Sequence, residues 1–180
     1  GALCEARGLA LIAHPHPLKG GSLDNKVAWT LARAALACGL IAVRPNFRGV
    51  GESEGVYDHG IGETEDLLAL TGSIAAHYGS LPWTLMGFSF GAYVQHRVAQ
   101  ELAATRLIMV GPAVSMYSFE ATNIPAHIIH GSEDEVIPFQ NVREYADTHG
   151  IPLIEVAGTG HFFHGKLREL QDLVEEICRH

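Results

Sequence analysis

The stretch Leu85-Met86-Gly87-Phe88-Ser89-Phe90-Gly91-Ala92-Tyr93 decides how the rest of the chain is read. An apolar strand runs into a sharp turn with Ser89 at its tip, and a helix follows. Gly87-Phe88-Ser89-Phe90-Gly91 has the G-x-S-x-G spacing of a nucleophile elbow. Such a tight turn holds the serine in a strained backbone conformation and projects its Oγ clear of the sheet. Side chains two residues before or after it would collide, so both places are glycine. The flanks agree with this reading. Pro82 to Met86 is short and apolar, and Ala92 to Leu102 is helix-like. A helix starting behind Ser89 aims its free N–H groups and positive dipole end at the turn, where a developing oxyanion would be stabilised.

Outward from this turn, the chain alternates. Gly8 to Ala13 is a continuous apolar run, as in a strand buried on both faces. It ends at His14-Pro15-His16-Pro17-Leu18-Lys19-Gly20-Gly21, a loop of restricted geometry. Pro15 and Pro17 have no N–H, so a backbone donor from this loop must be His16, Leu18 or a later residue. Ser22 or Asp24 is expected to cap a helix that runs to about Ala37. Leu40 to Arg44 is the second strand. The glycines at 49, 51 and 55 that follow lack dinucleotide-fingerprint spacing, and Arg48 is expected to tie this loop down. A helix over Glu63 to His77, strands at Arg106–Val110 and Ala126–His130, a helix to His149, a strand at Leu153–Val156 and a closing amphipathic helix complete the pattern. Strands alternating with helices predict a single α/β domain over 1–180, with a mostly parallel sheet and helices on both faces.

In such sheets chemistry sits at the carboxyl ends of the strands. His16, Ser89, Asp134 and His161 all fall just past a predicted strand, so they share one sheet edge. A serine hydroxyl needs a base to take its proton and a third group to orient that base. Ser89 is assigned as nucleophile, His161 as general base and then acid, and Asp134 as the orienting carboxylate. Glu133 and Glu135 flank Asp134 but are expected to point away from the turn. The backbone N–H of Phe90 is one oxyanion donor. That of His16 is the other, with Leu18 as the alternative. His164 is expected to open or cap the last helix. His14, His16, His161 and His164 are not read as a metal site, because no acidic or thiol ligand lies close by in sequence. No cofactor is expected.

Composition narrows the partners. A net charge of −8 argues against nucleic acid and against an anionic membrane surface. No apolar run approaches the roughly 18 residues that a spanning helix needs. Cys4, Cys38 and Cys178 are widely spaced and odd in number, which reads as reduced, mostly buried thiols in a cytoplasmic protein.

Together these residues resemble the α/β-hydrolase superfamily. The likeness is nearest to a small bacterial group of predicted hydrolases related to dienelactone hydrolases and lidless carboxylesterases. The stretches that carry it are His14-Pro15-His16-Pro17 with Gly20-Gly21, Asp24 to Val27, Asn46 to Gly51, Gly87 to Tyr93, Asp134-Glu135 and His161 to His164. The chain order Ser, Asp, His matches as well. The resemblance implies an α/β-hydrolase fold in which the strands that usually precede the His-Pro strand are reduced or missing. It also implies no lid, since Gly111 to Pro125 leaves room for little more than a loop. The expected site is open and shallow, walled by Phe47, Phe90, Met116, Tyr117, Phe119 and Phe162. The expected activity is cleavage of small carboxylic esters through an acyl-enzyme. A thioesterase or small peptidase on the same residues, or a binding protein that has lost turnover, is the alternative. Oligomeric state is left open.

Overall fold

The computed structural model describes residues 5–180. Cys4 lies outside them. The elements are β1 (Gly8–Ala13), α1 (Lys26–Ala37), β2 (Leu40–Val43), α2 (Ile61–Tyr78), β3 (Trp83–Phe88), α3 (Phe90–Ala99), β4 (Arg106–Val110), β5 (Ala126–Gly131), α4 (Phe139–His149), β6 (Leu153–Val156) and α5 (Leu167–Arg179). A single 3₁₀ turn, Pro17–Lys19, follows β1.

The strands form one six-stranded sheet in the order β2-β1-β3-β4-β5-β6. Every neighbouring pair is parallel. Successive side chains of a strand point to opposite faces, and here both faces are covered. Leu9, Leu11, Leu85, Leu107, Met109 and Ile128 pack with α2, α3 and α4 through Leu67, Val94, Val98 and Val142. Their neighbours Ala10, Ile12, Met86, Ile108, Val110 and Ile129 pack with α1 and α5 through Leu31, Ala35, Leu170 and Val174. That double burial explains why these strands read as unbroken apolar runs. The edge strands β2 and β6 are only partly buried, and β6 carries the exposed Glu155.

Several boundaries differ from the sequence expectation. Asn25, not Ser22 or Asp24, caps α1, and its Oδ1 accepts from the N–H groups of Val27 and Ala28 at 3.0 and 3.1 Å. Ser22 instead closes a local turn on the Asp24 N–H. Helix α2 starts two residues before Glu63. The buried Glu63 carboxylate accepts from the N–H of Asp58 and Gly60 and so satisfies donors ahead of the helix. Helix α3 begins directly at Phe90 and ends at Ala99. Lys166, not His164, precedes α5, and His164 is exposed in the loop before it.

Arg48 pairs through Nε and Nη2 with both carboxylate oxygens of Asp66 on α2, at 2.7 and 2.9 Å. It thereby fastens the loop after β2. Residues 111–125, between β4 and β5, contain no helix or strand, and no lid covers the sheet edge among the described residues. Cys38 and Cys178 are free thiols, the first buried and the second partly so. Among the described residues, no helix is long and apolar enough to cross a membrane.

Candidate active site

Ser89 lies between β3 and α3 with φ 58° and ψ −114°. A non-glycine residue at such a φ is strained. The turn holds it there by local contacts. The Ser89 N–H donates to the Val110 carbonyl of β4 at 2.9 Å, and its carbonyl accepts from Ala92. A Cβ on Gly87 would collide with the Gly91 backbone. One on Gly91 would strike the carbonyls of Ala13, the last residue of β1, and of His14 just after it. The two glycines therefore let α3 start directly beneath β1.

Residues remote in sequence meet at Ser89. His161 Nε2 lies 3.1 Å from Ser89 Oγ, and His161 Nδ1 lies 2.7 Å from Asp134 Oδ2. With Nδ1–H donating to the carboxylate, Nε2 is the free acceptor for the serine proton. The imidazole is packed by Phe88 at 4.9 Å and edge-on by Phe162 at 5.0 Å, centroid to centroid. The backbone N–H of His161 donates to Glu135 Oε2 at 3.3 Å. Phe163, two residues on, is fully buried at φ 55° and anchors this loop in the core.

Asp134 sits in the turn after β5. Its Oδ1 accepts from the N–H of Val136 and Ile137 at 2.8 and 2.7 Å. Burial by itself would raise this carboxyl. The hydrogen bonds from His161 and Ile137 and the nearby imidazoles outweigh burial and hold it below its ordinary range. Glu133 and Glu135 are both exposed. The sequence marked Glu135 as a rival to Asp134 and as part of the Asp134-Glu135 stretch, but its bond to the His161 backbone was not foreseen.

The loop after β1 supplies the opposite wall. Buried His14 donates from Nδ1 to the Pro15 carbonyl at 2.7 Å and accepts at Nε2 from the Phe47 N–H at 3.0 Å. In a trans peptide the N–H points opposite to the C=O. Pinning the Pro15 carbonyl therefore turns the His16 N–H the other way, where it has no partner among the described residues. The Leu18 N–H, by contrast, is taken by His16 Nδ1 at 3.1 Å. The Phe90 N–H, at the first position of α3, is likewise unpaired within the described residues. The geometry therefore favours His16 over Leu18 as partner to Phe90.

A cavity of about 470 Å³ opens over Ser89 and His161. Its walls include His16, Phe90, Met116, Tyr117, Val136 and Phe162. Phe47 does not line it, contrary to the sequence expectation. Phe47 is buried beneath the floor, edge-on to His14 at 4.5 Å and to Phe90 at 5.4 Å. Phe119 is also turned away, against Tyr93, His96 and Tyr145. Pattern alone does not tell a wall from a floor, because both faces of this loop region are apolar. Val136 and Asn25 line the cavity without having been foreseen. Asn25 carried a signal as a cap-type residue next to the loop, whereas Val136 carried none.

No family model matches the chain. It is similar to an alpha-beta serine hydrolase homologue from Coxiella burnetii at 41% identity, over 98% of this chain and 87% of that one, with TM-score 0.92. It is also similar to an α/β serine hydrolase without lid from Xanthomonas campestris, at 36% identity over 99% and 84% of the two chains, with TM-score 0.94. An uncharacterized protein of Rickettsia prowazekii is 29% identical over 183 residues, which cover 93% of this chain and 77% of that protein. With that identity along nearly its whole length, and with the same sheet left uncovered at the elbow edge, the chain belongs to the lidless α/β serine hydrolases.

Proposed function

We propose that this hydrolase cleaves small carboxylic esters through an acyl-enzyme on Ser89. The observation that carries this is the unbroken relay from Ser89 Oγ to His161 Nε2 at 3.1 Å and from His161 Nδ1 to Asp134 Oδ2 at 2.7 Å. As Ser89 Oγ attacks the ester carbonyl carbon, its proton passes to His161 Nε2. The imidazolium formed is stabilised by the ionised Asp134. The carbonyl oxygen becomes an oxyanion facing the N–H groups of Phe90 and His16. Collapse breaks the carbon–alkoxy bond, and the departing alcohol takes the proton from Nε2. Water then attacks the acyl-enzyme, giving a proton to Nε2. The second collapse returns that proton to Ser89 and releases the acid.

The cavity favours short acyl groups. Its volume, about 470 Å³, lies at the small end of ligand sites. The exposed Met116 and Phe162 offer apolar contact at an open mouth, not an enclosed tunnel. A series of p-nitrophenyl esters tests this. Acetyl and butyryl esters are expected to turn over fastest, and a strong preference for long chains would overturn the size argument. A fluorophosphonate probe is expected to label the wild type and not Ser89→Ala. A folded wild type that resists the probe would point instead to a binding protein on this scaffold. Matched thioester and amide substrates decide between esterase, thioesterase and peptidase.

A further inference from the structure

His130, the penultimate residue of β5, is fully buried. Its Nε2 lies 2.8 Å from the Ile137 carbonyl oxygen and 3.2 Å from Asp134 Oδ2. Both are acceptors, so Nε2 carries the proton and Nδ1 is bare. That Nδ1 is buried and has no partner among the described residues. An apolar side chain of similar volume would fill the site without an orphaned nitrogen. The favourable contribution of an imidazole here must therefore lie at Nε2. A second proton would have to sit on Nδ1 with nothing to receive it, so the ring acts as a neutral donor.

Resting on the assignment of Ser89, His161 and Asp134 given above, we propose that His130 is a positioning residue that fixes the Asp134 carboxylate from behind. Oδ1 takes the N–H of Val136 and of Ile137, while Oδ2 takes His161 Nδ1–H and lies 3.2 Å from His130 Nε2. The single Nε2 proton is bonded to the Ile137 carbonyl and reaches Oδ2 only as a longer, shared contact. The bond to the Ile137 carbonyl ties the far end of the same turn to β5. The contact at Oδ2 and the tied turn together restrain the carboxylate in its place against His161. Because the clamp is neutral, it does not compete as a cation for the charge that stabilises the His161 imidazolium.

The test compares His130→Gln, His130→Asn and His130→Leu, alone and combined with Asp134→Ala, on p-nitrophenyl acetate. Folding is checked by circular dichroism and thermal melting. The Gln amide nitrogen reaches the place of Nε2, whereas the Asn nitrogen reaches only that of Nδ1. The expected result is a kcat lower by about 10-fold or more in His130→Leu and His130→Asn, with KM within about twofold and substantial recovery in His130→Gln. In the Asp134→Ala background, removing His130 is expected to cost less than about twofold further. Equal losses in both backgrounds, or no difference between Gln and Asn, would overturn the proposal. If His130→Leu does not fold, the Gln and Asn pair decides. Should Asp134→Ala itself leave kcat unchanged, the site assignment fails instead.

Discussion

At the scale of the residue, small differences in placement decide what a side chain can do. Ser89 is a nucleophile candidate because its backbone is held at φ 58° and its Oγ lies 3.1 Å from an acceptor nitrogen. Gly91 is part of that device, since any Cβ there meets the carbonyls of Ala13 and His14. Gly91→Ala is expected to cost about 2–3 kcal/mol, read as a lower urea midpoint, because backbone must shift to admit one methyl group. A midpoint within error of wild type would show that the turn yields. Asp134→Asn is nearly isosteric, yet its amide can present an N–H where Oδ2 now accepts from His161. The imidazole would then turn or change tautomer. We expect kcat to fall by on the order of 10⁴ with little change in melting temperature. A loss below about tenfold would remove Asp134 from the relay.

At the scale of the element, caps and packed faces hold the loops that form the site. Asn25 closes the first turn of α1 and also lines the cavity. Asn25→Ala is expected to destabilise the fold by about 1 kcal/mol through the lost cap, measured by urea denaturation. Helix α5 covers one face of the sheet against α1 with Leu170 and Val174 fully buried. Leu170→Ala should cost about 2–5 kcal/mol while leaving KM unchanged, because the face it fills lies away from the cavity. Arg106 adds to this docking by donating to the Ile177 carbonyl of α5. The strands were more legible than the helix ends. Strands β1, β4 and β6 match the sequence expectation residue for residue; for β1 and β4 the apolar run ends where the chain leaves the core. The cap of α1 was not legible. Ser22, Asp24 and Asn25 are all cap-type residues, and only the backbone direction selects among them.

For the whole molecule, stability depends on histidines kept neutral. Burial lowers His14 and His96 from 6.5 to about 4. Each accepts a backbone N–H at Nε2, from Phe47 and Glu120 respectively, so a second proton would break that bond. The folded pKa is depressed below the unfolded one. The unfolded chain therefore takes up protons first as pH falls. Their contribution is complete above about pH 6.5, is lost progressively down to about pH 4 and changes no further below that. Each histidine gives a slope of up to about 1.4 kcal/mol per pH unit in that window. Urea denaturation at pH 7.5, 6 and 5 should show falling midpoints, and flat midpoints would refute the mechanism. The low carboxyl of Asp134 adds in the same direction at more acidic pH.

The sequence by itself determined the alternating architecture, the elbow at Ser89 and the edge on which His16, Ser89, Asp134 and His161 gather. Those features depend on periodicity, glycine sterics and chain order, all of which are read along the chain. Tertiary structure decided which apolar residues face the cavity, putting Phe47 under the floor and Val136 in the wall. It also engaged the Leu18 N–H while leaving that of His16 without a partner among the described residues, and it set His130 behind Asp134. The reason is common to all three. What a side chain or an N–H touches depends on partners brought from other parts of the chain, and residue type records capacity for a contact but not its occupancy.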